Sequence, residues 1–164
     1  MTEQEALVAL NGITGFGPRK TQKLLQAFGS ALAAFSAGQR EVCEAEGLGL
    51  STWQALRAGP EQGFVEQPFK AAHEHNARIV TLADPEYPRA LRSIYDPPVV
   101  LYVRGLPLDS LSACLGVVGT RNATQYGARV ARDMAGALAA AGVCVVSGLA
   151  RGIDAIAHAA SLGA

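Results

Sequence analysis

Two short apolar runs, Leu115–Val118 and Val143–Val146, each break into a glycine-bearing loop and then a helix-like segment. No other feature of the chain constrains its fold as tightly. Runs of four apolar residues that are rich in valine suit strands buried on both faces of a parallel sheet. Between the two, Gln125 to Ala141 carries Val130, Met134 and Leu138 at i, i+4 and i+8, and Gly142 stands where a left-handed residue closes a helix. A last helix begins near Gly152 or Ile153. Strand, loop and helix repeated in this way predict a Rossmann-like parallel α/β sheet. Sheets of that kind usually have about five or six strands. With two βα units in hand, the chain is expected to be a fragment whose sheet edge is open.

The first sixty residues read differently, because apolar residues recur at helical spacing and never alternate. Leu7, Val8 and Leu10 belong to one helix, which breaks at Asn11-Gly12. A second runs from about Arg19, with Leu24, Leu25 and Phe28 on one face, to Gly29. Leu32 and Phe35 mark a third, stopped by Gly38, and Trp53 and Leu56 a fourth, ended by Gly59-Pro60. The glycine-rich Gly59–Gly63 stretch is the best boundary. The expected organisation is an all-helical domain of the SAM-like, helix-hairpin-helix kind over residues 1–62 and an incomplete Rossmann-like domain over 63–164. Within the latter, Phe69–Asn76 looks helical, Arg78–Leu82 and Val99–Val103 look like strands, and Asp84–Pro88 is a turn-rich connection.

Composition narrows the function classes. The chain has 164 residues, 49% of them hydrophobic and 17% charged, so it can bury a core. No apolar run reaches the roughly 18 residues of a membrane span, and the acidic start Met1-Thr2-Glu3-Gln4-Glu5 lacks the basic region of a secretory signal. A cytoplasmic protein is expected. Cys43, Cys114 and Cys144 are odd in number and far apart in sequence, which suggests buried, reduced thiols and neither a disulfide framework nor a zinc site. His73 and His75, at i and i+2, diverge on a helix and make a poor metal pair. No metal or cofactor is expected.

Net charge is zero, but its distribution is uneven. From Asn11 to Arg40 there are four basic residues and no acid, and from Val99 to Ala164 five arginines face three aspartates. Both regions suit phosphate. In the first, Gly15 and Gly17 permit positive φ in a tight hairpin, Pro18 suits a first helical position, and Arg19, Lys20 and Lys23 can approach a phosphate backbone. The alternative is a helical hairpin used as a scaffold. A second copy around Gly47-Leu48-Gly49 is flanked by Glu41, Glu44 and Glu46 and reads as structural. In the second region, Gly119, Thr120 and Arg121 form one βα loop, and Ser147, Gly148, Arg151 and Gly152 the other. Both are expected at the carboxyl ends of the strands, where open α/β sheets bind ligands. Arg121 can hold a phosphate with two parallel bonds. Arg151 can do the same, or pair with Asp154. Neither loop is a dinucleotide fingerprint or a Walker motif. Ser147, Asp154 and His158 do not make a hydrolytic triad, since Ser147 lies in no Gly-x-Ser-x-Gly elbow and His158 follows Asp154 on one helix. His158 is expected to pack or to hydrogen-bond.

The chain resembles a family at these residues. Asp84-Pro-Glu-Tyr-Pro-Arg-Ala-Leu-Arg92 and Asp96-Pro-Pro-Val-Val-Leu-Tyr-Val-Arg-Gly105 are similar to the segment that leads into the Rossmann-like domain of DprA/Smf DNA-processing proteins. Val118-Gly-Thr-Arg121 with Thr124-x-Tyr-Gly127, then Val146-Ser-Gly-Leu-Ala-Arg-Gly-Ile-Asp154 with Ala157-His158, resemble that family's two signature loops. The resemblance covers residues 84 to 162. It implies a non-enzymatic, cytoplasmic protein of natural transformation and recombination. Such a protein binds incoming single-stranded DNA, shields it, helps load the RecA recombinase and forms a homodimer when full-length. The family's basic Lys further along the sheet, its dimerisation surface and any winged-helix domain lie outside this stretch. Two other readings stand beside it. A nucleotide or phosphoribose hydrolase of a related Rossmann-like family would show a Pro-Gly-Gly-x-Gly-Thr loop, and no such string occurs. A protein-interaction scaffold would use the helical domain alone.

Overall fold

The computed structural model describes residues 1–108 and 113–163. It divides into two compact units, Met1–Asp109 and Ser110–Ala164.

Six helices open the first unit: α1 (Glu3–Gly12), α2 (Pro18–Phe28), α3 (Ala31–Ser36), α4 (Gln39–Glu44), α5 (Leu50–Ala58) and α6 (Glu66–Glu74). Local chemistry sets their ends. Thr2 and Glu5 form a capping box on α1, with the Glu5 amide donating to Thr2 Oγ1 at 3.2 Å. Gly29 ends α2 in the left-handed conformation. Glu3 caps α3 from a distance, its carboxylate accepting from the amides of Ala31 and Leu32 at 2.6 and 3.1 Å. A carboxylate at a helix N-terminus satisfies amides that have no partner within the helix.

After α6 come β1 (Arg78–Thr81), the short α7 (Arg89–Arg92) and β2 (Val100–Val103). β1 and β2 pair antiparallel, with Arg78 opposite Val103 and Thr81 opposite Val100. The sequence places residues 63–108 with the sheet domain, whereas in the structure they form one compact unit with the helices. The reason is burial: Leu7, Leu10, Leu24 and Val42 share one core with Val80, Tyr87, Val99 and Val103. Burying such side chains contributes roughly 1.5–3 kcal/mol each. Gln4 reinforces the join by donating to the Ile79 carbonyl at 2.8 Å. Gly12 lets the Phe64 ring approach, since a Cβ there would lie 2.2 Å from the ring. Tyr87 is buried and its hydroxyl donates to the Pro98 carbonyl at 2.7 Å. Arg78 clamps Glu86, and that side-chain hydrogen bond holds the Glu86 carboxyl below its ordinary value.

The second unit is β3 (Cys114–Gly116), α8 (Gln125–Ala140), β4 (Cys144–Val146) and α9 (Ile153–Leu162). β3 and β4 are parallel, as the strand-helix-strand pattern requires. Gly142 has φ +77, the left-handed conformation that closes α8. The buried face of α8 differs from the expected one. Ala131 and Ala135 are buried, while Met134 is exposed and Val130 and Leu138 are half-buried. Small side chains let helices approach closely, and a Cβ on Gly136 would lie 4.0 Å from the Ala160 carbonyl oxygen on α9.

Candidate nucleic-acid interface

The second unit brings the loop leaving β3 and the loop leaving β4 together. The Val117 amide donates to the Val146 carbonyl at 2.9 Å, extending the strand pairing by one residue. Ser147 then donates its hydroxyl to the Val117 carbonyl at 2.6 Å. Further out, the Ile153 amide donates to the Thr120 carbonyl at 3.1 Å. Glycine makes this closeness possible. A Cβ on Gly152, whose φ is +86, would lie 2.3 Å from the Thr120 carbonyl oxygen, and one on Gly119 would lie 2.7 Å from Ile153. Each loop thus fills the space a side chain would need in the other.

Inside each loop, side chains fix the backbone. Thr120 Oγ1 accepts from the Asn122 amide at 3.2 Å, and Thr124 Oγ1 caps α8 by accepting from the Gly127 amide at 3.1 Å. Asp154 is buried in the first turn of α9 and accepts from the Gly148 amide at 3.1 Å. A carboxylate in that turn answers part of the positive end of α9 from within the protein. Leu149 holds φ +56, a conformation that costs a non-glycine residue about 1–2 kcal/mol. Its side chain is 81% exposed, so the loop projects an apolar group outward where burial would be expected. Val118 and Tyr126 are exposed as well.

The expected site residues thus fall into two groups. Gly119, Thr120, Ser147, Gly148 and Gly152 build and interlock the loops. Arg121 and Arg151 are the exposed cations that the loops carry. Asp154 bonds Gly148, and among the described residues it makes no ion pair with Arg151. A triad does not form, since the Ser147 hydroxyl donates to the Val117 carbonyl and Asp154 is held by Gly148. His158 Nε2 is buried without a hydrogen-bond partner, so the ring does not hydrogen-bond through that atom.

In the first unit, the hairpin between α1 and α2 has Gly15 at φ +82, as its turn requires. Gly17 is instead extended at φ −95 and serves as the N-cap of α2, with Pro18 in the first turn. The Arg19 guanidinium stacks 4.2 Å from the centroid of Tyr95, and Lys20 lies 5.0 Å from that of Phe16. Lys23 is turned toward the second hairpin. Its Nζ stands 2.0 Å from where a Gly47 Cβ would be, in a cleft lined also by Glu41, Glu44 and Glu46. Tyr95 beneath Arg19 is a residue the sequence reading does not single out. Ile94 and Tyr95 are both exposed, and no local sequence pattern signals the contact with Arg19.

The thiols differ from expectation. Cys43 and Cys114 are exposed and Cys144 is half-buried, and the last two stand opposite each other in the β3–β4 register. Among the described residues no group of three or more His, Cys, Asp or Glu could hold a metal ion, and no helix is long and apolar enough to cross a membrane.

Fold and site together define a helix-rich chain whose small parallel sheet carries two interlocked glycine loops. A family model for DNA recombination-mediator protein A matches residues 78–164. The chain belongs to that family, the DprA/Smf DNA-processing proteins. It is 36% identical to Protein Smf of Synechocystis sp. across 98% of its own length and 42% of that protein. It is 40% identical to the DNA processing protein DprA of Bacillus subtilis, across 66% of this chain and 37% of that one. The X-ray structure of DprA from Streptococcus pneumoniae shares the fold, with a TM-score of 0.73 over 99% of this chain and 54% of the other at 23% identity. The chain therefore spans less than half the length of these two sequence relatives.

Proposed function

We propose that the chain is the DNA-engaging part of a non-catalytic DNA-processing protein, which binds single-stranded DNA through the loops leaving β3 and β4. The observation that carries this reading is the interlock of Gly119 and Gly152 with the opposing loop. It holds Arg121 and Arg151 on one rigid pair of loops, free of the Asp154 carboxylate. Guanidinium groups carried on a held backbone can grip phosphate through two parallel bonds. Exposed Leu149, Val118 and Tyr126 offer apolar and aromatic surface to unpaired bases, which duplex DNA keeps stacked inside. Membership of the DNA-processing family supports the same ligand. In the full-length protein we assign this site to protecting incoming DNA and assisting RecA loading in the cytoplasm, with a homodimer as the working unit. The helix-hairpin-helix at Gly15–Lys20 is a secondary contact in this reading, within a SAM-like domain, and the β3–β4 unit is the start of a Rossmann-like sheet.

The test is fluorescence anisotropy of labelled oligo-dT and a matched duplex, titrated across a salt series. Binding should prefer the single strand and fall with salt at a slope of about 0.7 per phosphate contacted. Arg121→Ala should weaken it by roughly ten- to a hundredfold, as loss of one charge-assisted contact implies. Equal affinity of Arg121→Ala and the unchanged chain would refute the site. Equal affinity for duplex would refute the preference.

A further inference from the structure

Cys114 opens β3, Cys144 opens β4, and the two are Cα partners in the parallel register. Partnered residues of neighbouring strands point to the same face, and the strands lie about 4.8 Å apart. That spacing falls within the Cα separation of about 4.4–6.8 Å over which a disulfide closes. The backbone is pinned at this point, since the Cys144 amide donates to the carbonyl of Ala113 at 2.8 Å. Cys114 is exposed and Cys144 half-buried, so a dissolved reagent meets Cys114 first. Burial, and then the neighbouring Cys114 thiol, push the Cys144 thiol above its ordinary value. Cys144 is thus the less reactive member of the pair and acts second. Cys43, by contrast, is the one cysteine of the first unit.

We propose that Cys114 and Cys144 are a thiol-oxidation site, forming a reversible intrachain disulfide with a low-molecular-weight disulfide such as oxidised glutathione as oxidant. The Cys114 thiol gives its proton to water, and its thiolate attacks one glutathione sulfur. The glutathione S–S bond breaks, and the departing thiolate takes up a proton. The Cys144 thiol then gives its proton to water, and its thiolate attacks the Cys114 sulfur of the mixed disulfide, forming the bridge and expelling the second glutathione as a thiolate that takes up a proton. Two electrons and two protons pass from the protein to the oxidant, and a dithiol reverses the sequence. The bridge joins the starts of β3 and β4, while the candidate DNA loops leave from their other ends. The proposal therefore stands independently of the DNA-binding reading.

The folded chain is incubated with oxidised glutathione, alkylated with a maleimide, and measured by intact mass and peptide mapping. One alkylated thiol, Cys43, is expected, together with a linked Cys114–Cys144 peptide and a loss of about 2 Da that dithiothreitol restores. Cys43→Ser should keep the bridge. Cys114→Ser and Cys144→Ser should each abolish it, with a glutathione adduct left on the remaining partner. Three alkylated thiols throughout the redox series would overturn the proposal. So would a bridge that forms only in urea, or a Cys114 bridge between two chains.

Discussion

The hairpin at Gly15–Gly17 and the hairpin at Gly47–Gly49 share a backbone and differ in charge. In each, the first glycine holds positive φ, +82 in one and +70 in the other, and the second is the extended N-cap of the following helix. Their turn bonds match: the Phe16 amide donates to Ile13 at 3.0 Å, and the Leu48 amide donates to Ala45 at 3.1 Å. One hairpin is then decorated with Arg19 and Lys20, each against an aromatic ring, and the other with Glu41, Glu44 and Glu46. The backbone follows from glycine placement and one inward apolar side chain. The ligand chemistry follows from residues that the fold leaves free to vary. Resemblance between hairpins is therefore evidence of a shared fold, and only the surface charge separates a nucleic-acid contact from a scaffold.

The two hairpins also differ in how firmly the core holds them, which sets the largest predicted effect. Phe16 is buried, whereas its counterpart Leu48 packs against the same core while half-buried. Phe16→Ala should lower stability by about 3–5 kcal/mol, and Leu48→Ala by about 2 kcal/mol, near the bottom of the range for core leucines. Urea denaturation checks this. Equal shifts in midpoint would mean that the core treats the two copies alike.

A smaller effect is expected at the glycines. Gly15→Ala meets open space and loses only the conformational freedom that φ +82 requires, about 1–2 kcal/mol. Gly47→Ala incurs that same strain and also displaces the Lys23 ammonium from the acidic cleft, so its stability should fall further by about a few tenths of a kcal/mol. A Gly15→Ala cost above that of Gly47→Ala would break the assignment of Lys23 to the second hairpin.

Much of the fold is legible in the sequence. Glycine and proline punctuation located the helix ends at Gly29, Gly59 and Gly142, and the valine-rich runs located the parallel strands, because those signals act within a few residues. What depends on distant partners is not. Nothing within Arg78–Thr81 says that it pairs antiparallel with β2 and packs on α1, so those residues read as part of the sheet domain. α4 has no sequence signature because Val42 is its one buried side chain, too little to show a period. The alanine face of α8 was hidden by the more hydrophobic Val130, Met134 and Leu138 stripe, since periodicity weighs hydrophobicity where close helix packing selects small size. The loop residues were found from their motif, yet their division into loop builders and exposed arginines required the hydrogen bonds. The Cys114–Cys144 pairing depends on register, which no local pattern encodes.

The smallest predicted effect bears on the charge contrast directly. Arg19, Lys20 and Lys23 look equivalent in sequence, three cations on one helix. In the structure Lys20 stays beside Phe16 on the first hairpin, while Lys23 leans into a cleft with three glutamates. If the first hairpin touches DNA, Lys20→Ala should weaken single-strand binding by about threefold and reduce the salt slope by about 0.7, the share of one phosphate contact. Lys23→Ala should leave both unchanged, because Lys23 shares its cleft with Glu41, Glu44 and Glu46. Anisotropy titrations at two salt concentrations separate these outcomes. Equal losses in both variants would mean that Lys23 swings out of the cleft to reach phosphate. No loss in either would leave the first hairpin, like the second, a structural element, with DNA affinity resting on the loops of β3 and β4.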